Sequence, residues 1–250
     1  MDNLTCKNCG IELSGAFCRQ CGQKKISSRL NFKDIWNDFA ANVLDVEAPI
    51  INNIKGLTLY PGRFIKDFIN GKRKSKYKPV QYYILIMGIY FLLYYGIGID
   101  ALTQQEVNQA RGTDYQFYPL VDRFDKILNE NIRLFSILLV PILGFMTRIF
   151  FKKSSFNYIE NLTLALYLSA HAQFISIAFC FIYLFHYPFY STTGLLILLA
   201  TGYICWGIVQ FFDARSFGGI VKGVLCYFFS YVIFICISSI LIFSYLFIVG

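Results

Sequence analysis

Residues 220–248 read IVKGVLCYFFSYVIFICISSILIFSYLFI, and this run decides the fold class. Its one charged side chain is Lys222. About 20 mostly apolar residues carry a helix across roughly 30 Å of hydrocarbon. Backbone in lipid must satisfy its own hydrogen bonds, so a spanning chain is either helical or a closed barrel. A barrel would show short segments of alternating polarity, which this run does not. Four further blocks of the same kind precede it, at about 193–212, 161–185, 132–151 and 80–99. The expected architecture is therefore an all-α polytopic membrane protein with about five transmembrane helices. Blocks three and four are separated by a short stretch with Pro188, which predicts a tight helical hairpin.

The composition agrees. Of 250 residues, 56% are hydrophobic and 15% charged, and the mean hydropathy is +0.50. A soluble globule is typically about 25% charged. The polar residues are also unevenly placed, because 14 of the 23 Lys and Arg fall within the first 79 positions.

That asymmetry sets the expected orientation, since Lys and Arg in short loops are retained on the cytoplasmic side. The segment before residue 80 is basic. The 100–131 loop carries Asp100, Glu106, Asp114, Asp122, Asp125 and Glu130 against Arg111, Arg123 and Lys126, which suits the far side. Arg148, Lys152 and Lys153 return the chain to the near side, as do Arg215 and Lys222. A bacterial inner-membrane protein with its N-terminus in the cytoplasm and its C-terminus outside is expected. The first apolar block would then serve as its own insertion signal.

The head is of a different kind. Residues 6–23 read CKNCGIELSGAFCRQCGQ. Cys6 and Cys9 form one C-x-x-C pair and Cys18 and Cys21 another, and a two-residue gap lets both sulfurs of each pair reach one tetrahedral ion. Gly10 and Gly22 follow the second cysteine of each pair, where a positive φ lets backbone N–H groups point at sulfur. Residues 1–25 are thus read as a zinc ribbon with structural Zn as the cofactor. Iron could fill the same thiolates. Disulfides are not expected in a reducing cytoplasm. With four protein ligands such a site is closed and structural, not catalytic. The IELSGAF loop has no array of basic and stacking residues, so nucleic acid is not an expected partner.

Residues 26–79 form a cytoplasmic collar of amphipathic, interfacial helices, and residues 80–250 the five-helix transmembrane domain. From Asn31 the apolar residues Phe32, Ile35, Trp36, Phe39, Ala40, Val43 and Leu44 recur at helical spacing, opposite Lys33, Asp34, Asn37, Asp38 and Asn42. A second helix is expected to start at Pro61, to bury Phe64, Ile65, Phe68 and Ile69, and to stop at Gly71. Next comes KRKSKYKP, in which Lys72, Arg73, Lys74, Lys76 and Lys78 stand directly before the first crossing. Such a cluster fixes topology or holds anionic lipid headgroups, and the two roles are compatible.

The elements FCRQCGQKK and LYPGRFIKDFINGKRKSKYKPVQYYIL, followed by the apolar body, resemble a bacterial family of unknown function (domain of unknown function 3667). The resemblance implies a zinc-ribbon head joined to about five membrane helices, and no established activity. That layout is in turn similar to the Yip group of membrane-traffic proteins. In YIENLTLALY, Asn161 and Tyr167 stand where the family tends to histidine, which speaks against an intramembrane metal or heme site.

Polar groups inside the crossings are functional candidates by default. Here they are His171 and Gln173, with Glu160 near the cytoplasmic end of the same helix. A hydrogen-bonding role across helices competes with a proton or substrate path. Cys180, Cys205, Cys226 and Cys236 read as small apolar residues. No GxSxG, HExxH or phosphate-cradling loop is present, so no enzyme is expected. The expected function is a non-enzymatic membrane protein whose head and collar recruit a cytoplasmic protein or organise membrane lipids. The rival reading is a homo-oligomeric channel, transporter or membrane-disrupting effector with the metal head as gate or sensor.

Overall fold

The computed structural model describes residues 5–25, 30–32, 50–99, 101, 105, 123–124, 127–128, 131, 135–184 and 189–249. Apart from two isolated β-bridges in the head, Thr5 with Glu12 and Phe17 with Lys24, the regular structure described is helical. The helix expected from Asn31 onward falls mostly outside the described residues, as does most of the 100–131 loop.

Among the described residues seven helices carry the architecture: α1 Ile50–Leu59, α2 Pro61–Ile69, α3 Pro79–Gly96, α4 Leu139–Phe150, α5 Tyr158–Leu184, α6 Phe189–Phe211 and α7 Phe217–Val249. Both α2 and α3 begin with proline, whose fixed φ suits a first turn and whose missing N–H costs nothing there. Pro141 sits in the first turn of α4 behind a 3-10 turn at Ser136–Leu138 and is tolerated for the same reason.

The central element is α5, which packs against α3, α4 and α6. Leu164, Ala165, Tyr167, Leu168 and Ala170 are fully buried on it, the pattern of a helix enclosed on several sides. By contrast α7 packs against α4 and α6 and leaves Phe228, Ile240, Phe243 and Phe247 exposed. Such an apolar exterior suits lipid and not water.

Three helical stretches are long and apolar enough to cross a membrane, namely Tyr158–Ile182, Gly194–Phe211 and Phe217–Ile248. The other two expected crossings are helical but weaker on these criteria. The 18 residues of α3 include Gln81 and five tyrosines, which dilute its hydropathy. Residues Ser136–Phe150 make a shorter apolar helix.

The pair α1–α2 is a short helical hairpin wedged into the bundle, with α1 against α5 and α2 against both α5 and α6. The expected face of α2 is buried as read: Phe64, Ile65, Phe68 and Ile69 all join the core.

Candidate metal centre

Each C-x-x-C-G unit folds into the same small knuckle. In the first, the Gly10 N–H donates to the Cys6 carbonyl at 2.8 Å and the Cys6 N–H to the Ile11 carbonyl at 2.7 Å. In the second, the Gly22 N–H donates to Cys18 at 2.9 Å and the Cys18 N–H to the Gln23 carbonyl at 2.9 Å. Gly10 and Gly22 have φ of 80° and 69°, a region open to glycine.

Folding the two knuckles together gathers Cys6, Cys9, Cys18 and Cys21, whose sulfurs all lie within 4.8 Å of one another. The Cys6–Cys21 and Cys9–Cys18 separations are 3.6 and 3.4 Å. Bonds of about 2.3 Å to a central tetrahedral ion would set sulfurs about 3.8 Å apart, so the donor set fits one metal ion. The electrostatics point the same way. The Cys18 thiol is pushed down to about 6, first by the Cys21 N–H and then by that of Gln20. Cys6 is lowered by the Cys9 N–H. Cys9 goes up to about 12, because the Ile11 N–H acting downward is outweighed by desolvation and by the crowding of Cys18, Cys21 and Cys6. Four sulfurs this close cannot all ionise unless a cation shares their charge.

The two knuckles differ at the residue after the glycine. In the first this is Ile11, which is 45% exposed; in the second it is Gln23, a polar residue only 6% exposed. The reason is that Gln23 reaches across to the turn after α2. Its Nε2 donates to the Gly71 carbonyl at 2.8 Å, and its Oε1 accepts from the Arg73 and Lys74 N–H groups at 3.0 and 3.1 Å. Those are the groups that the end of α2 leaves open. The Gly71 and Lys72 N–H groups turn back to Phe68 and Asp67 at 3.1 and 2.9 Å, with Gly71 at φ 105°, a Schellman closure. A Cβ on Gly71 would come within 2.7 Å of Lys7 Cδ, so head and turn meet without spare room.

The five basic residues of the turn do not act alike. Lys72 pairs with Asp67 at 3.1 Å. Arg73 lies over the Phe68 ring, 5.2 Å from its centroid, and donates to the Phe68 carbonyl. Lys74 is exposed, with its ammonium 3.7 Å from where a Cβ of Gly22 would lie. Lys78 is half-buried at the N-cap of α3. Lys76 turns inward: its Nζ donates to the Phe64 carbonyl at 2.6 Å and sits 4.2 Å above the Phe64 ring. Burial pushes its ammonium down to about 8, against the opposing pull of Asp67.

Further along the turn, Tyr77 is held from the other side. The Asn53 side chain accepts from the Tyr77 N–H at 2.7 Å and donates to its carbonyl at 3.1 Å. The Tyr167 hydroxyl donates to the same carbonyl. Tyr167 itself packs edge-on against Phe64 and Phe68.

The three intramembrane candidates are not one site. His171 is buried between α1 and α3, with Nε2 2.9 Å from the Thr58 hydroxyl and Nδ1 3.0 Å from the Tyr82 hydroxyl. Gln173 is half-buried on the same helix and is a partner in neither bond. Glu160 exchanges hydrogen bonds with Asn157: its carboxylate accepts the Asn157 N–H at 2.8 Å while the Asn157 side chain accepts the Glu160 N–H at 2.9 Å. That is a capping box at the start of α5, a structural use. Gln23, Asn53, Thr58 and Tyr82 escape a reading of the sequence. The one local signal was the polar residue of the second knuckle where the first has isoleucine.

Residues 48–91 match a family model described as "Protein of unknown function (DUF3667)". The matched segment runs from α1 through the clasped turn into α3, and so includes Asn53, Gly71, Tyr77 and Tyr82. No curated protein and no solved structure matches the chain.

Proposed function

We propose that the chain is a non-enzymatic integral membrane protein of the bacterial inner membrane whose zinc-stabilised cytoplasmic head and basic collar form one docking face. On this reading α3 and α4 cross the membrane with α5, α6 and α7, giving five crossings with the N-terminus inside. The ion is structural Zn, supplying the folding free energy that about 20 residues cannot gain from a hydrophobic core. The observation that carries the reading is the Gln23 clasp, which fastens the head to the turn that leads straight into α3. A head tied to the bundle in this way presents a fixed surface to a cytoplasmic protein or to acidic headgroups. Lys72 and Lys74 lie at its rim, and one lysine near an acidic bilayer is worth about 1 kcal/mol.

The test is reconstitution of the full chain into liposomes containing acidic lipid, with metal content, ion flux and dye release followed with and without a chelator. About one Zn per chain and vesicles that stay tight in both conditions are expected. Protein-dependent flux that changes on chelation would overturn the reading in favour of a pore with a metal-controlled gate.

A further inference from the structure

The turn between α2 and α3 is held at its two ends by two side-chain amides from different parts of the fold. Gln23 of the head takes Gly71, Arg73 and Lys74. Asn53 of α1, with Tyr167 of α5, takes Tyr77. One hold depends on the metal centre and the other does not.

Gln23 is placed by the knuckle itself, since its carbonyl receives the N–H of Cys18, one of the four candidate ligands. A head of this size keeps that geometry only while its ligands are gathered. Charge adds to the geometry: a divalent ion in four thiolates leaves the centre with a net charge of −2, and Lys74 stands beside Gly22, the residue after Cys21. The far side of the contact can be given up cheaply. Of the residues that Gln23 holds, Lys74 is exposed and Arg73 half-buried, so water can replace Gln23 at their N–H groups once the head lifts away. Tyr77 is buried, and its partners belong to the bundle.

We propose that metal occupancy of the four-cysteine centre controls whether the basic turn is clasped to the head: with the ion bound, Gln23 locks the Gly71, Arg73 and Lys74 backbone to the head, and on its loss the Arg73 and Lys74 amides open to water while the closure onto α2 and the hold on Tyr77 stay in place. This inference rests on the reading of the four cysteines as a metal site. It makes the basic rim a regulated surface, fixed and partly spent on the head in the loaded state and freed in the unloaded one.

The experiment is hydrogen exchange on the full chain in nanodiscs, resolved to single amides, with metal content measured on the same samples. Chelation is expected to speed exchange at Arg73 and Lys74 about tenfold, the scale of one lost hydrogen bond, and to leave Tyr77 unchanged. Gln23→Ala, which removes no ligand, is expected to do the same with the metal retained. Continued protection of Arg73 and Lys74 after chelation, or loss of Tyr77 protection together with theirs, would overturn the proposal. So would unchanged exchange in Gln23→Ala. A chain that binds no metal would defeat the metal-centre reading and this regulation together, whereas failure of the Gln23→Ala arm alone strikes only the clasp.

Discussion

His171 and Thr58 lie 113 residues apart and share a hydrogen bond whose direction is fixed. The Thr58 hydroxyl proton is committed to the Ile54 carbonyl at 2.7 Å, so the oxygen accepts from the Nε2–H of the ring. Nδ1 shares a second hydrogen bond, 3.0 Å long, with the Tyr82 hydroxyl. With both nitrogens occupied, the ring ties α1, α5 and α3 together. Thr58→Val is expected to cost about 0.6 kcal/mol and up to about 1.7. His171→Ala takes this partner from the Tyr82 hydroxyl and leaves a cavity, at about 2–4 kcal/mol. Unfolding in mixed micelles measures both, and a fully stable His171→Ala would show that the ring is not a structural tie.

Asn53 satisfies both backbone groups of Tyr77. Truncating it to alanine strands a buried N–H and leaves the carbonyl with Tyr167 as its remaining partner among these contacts. A loss of about 1–3 kcal/mol is expected. Tyr167→Phe removes one donor and keeps the edge-on packing against Phe64 and Phe68, so its cost should be near 1 kcal/mol. Equal costs for the two variants in the same unfolding assay would contradict this ranking.

Gly62 opens α2 against the end of α6, where its N–H donates to Gln210 Oε1 at 3.1 Å. A Cβ there would stand 2.5 Å from the Gln210 carbonyl carbon and the Phe211 nitrogen. Backbone cannot step aside as a flexible side chain can, so Gly62→Ala should cost about 1–3 kcal/mol. Gly88, with open space around its Cβ position, provides the control. Gly88→Ala should be neutral or slightly stabilising, as expected of alanine for glycine inside a helix.

Lys76 predicts a pH dependence. Its side chain is 9% exposed, and burial lowers its folded-state pKa from 10.5 to about 8. Between those two values the unfolded chain holds the proton more tightly than the folded one, so this group makes stability rise with pH across that window. Below about pH 8 the cost of burying the cation is fully present. The difference in stability between the wild type and Lys76→Met, followed from pH 7 to 10.5, should therefore shift in favour of the wild type as pH rises. A flat difference would mean that the ammonium is not desolvated. The carboxylate that opposes its neutralisation, Asp67, also pairs with Lys72, so the profile should be read with Lys72 unchanged.

Removing a ligand tests the centre directly. Cys18→Ser is expected to abolish metal binding and to leave the helical signal of the bundle intact, because the buried core of α2 to α6 contains no part of the head. Metal analysis and circular dichroism on one preparation decide the matter. Retained stoichiometric metal would exclude the four-sulfur site.

Much of this protein was settled by local sequence. Unbroken apolar runs admit helices alone once the backbone must satisfy itself, which is why α5, α6 and α7 lie where the hydropathy put them. The paired C-x-x-C-G units carry their own geometry, since two residues of spacing and one glycine close a knuckle without outside help. Pro61 and Gly71 bounded α2 for equally local reasons. The stretch that became α1 carries Asn52, Asn53 and Gly56, poor helix formers, and it is helical because it packs against α2 and α5. The same limit governs the site. Which amide meets Gln23, which backbone Asn53 holds and which hydroxyl His171 reaches are contacts spanning 24 to 113 residues. Periodicity reports only the face on which a residue sits, and the partner across that face is chosen by the packing of whole helices. Thus the kinds of element came from the sequence alone, while the tie between the four-cysteine head and the helical bundle existed only once the chain had folded and left three backbone groups of one turn open beside a single glutamine.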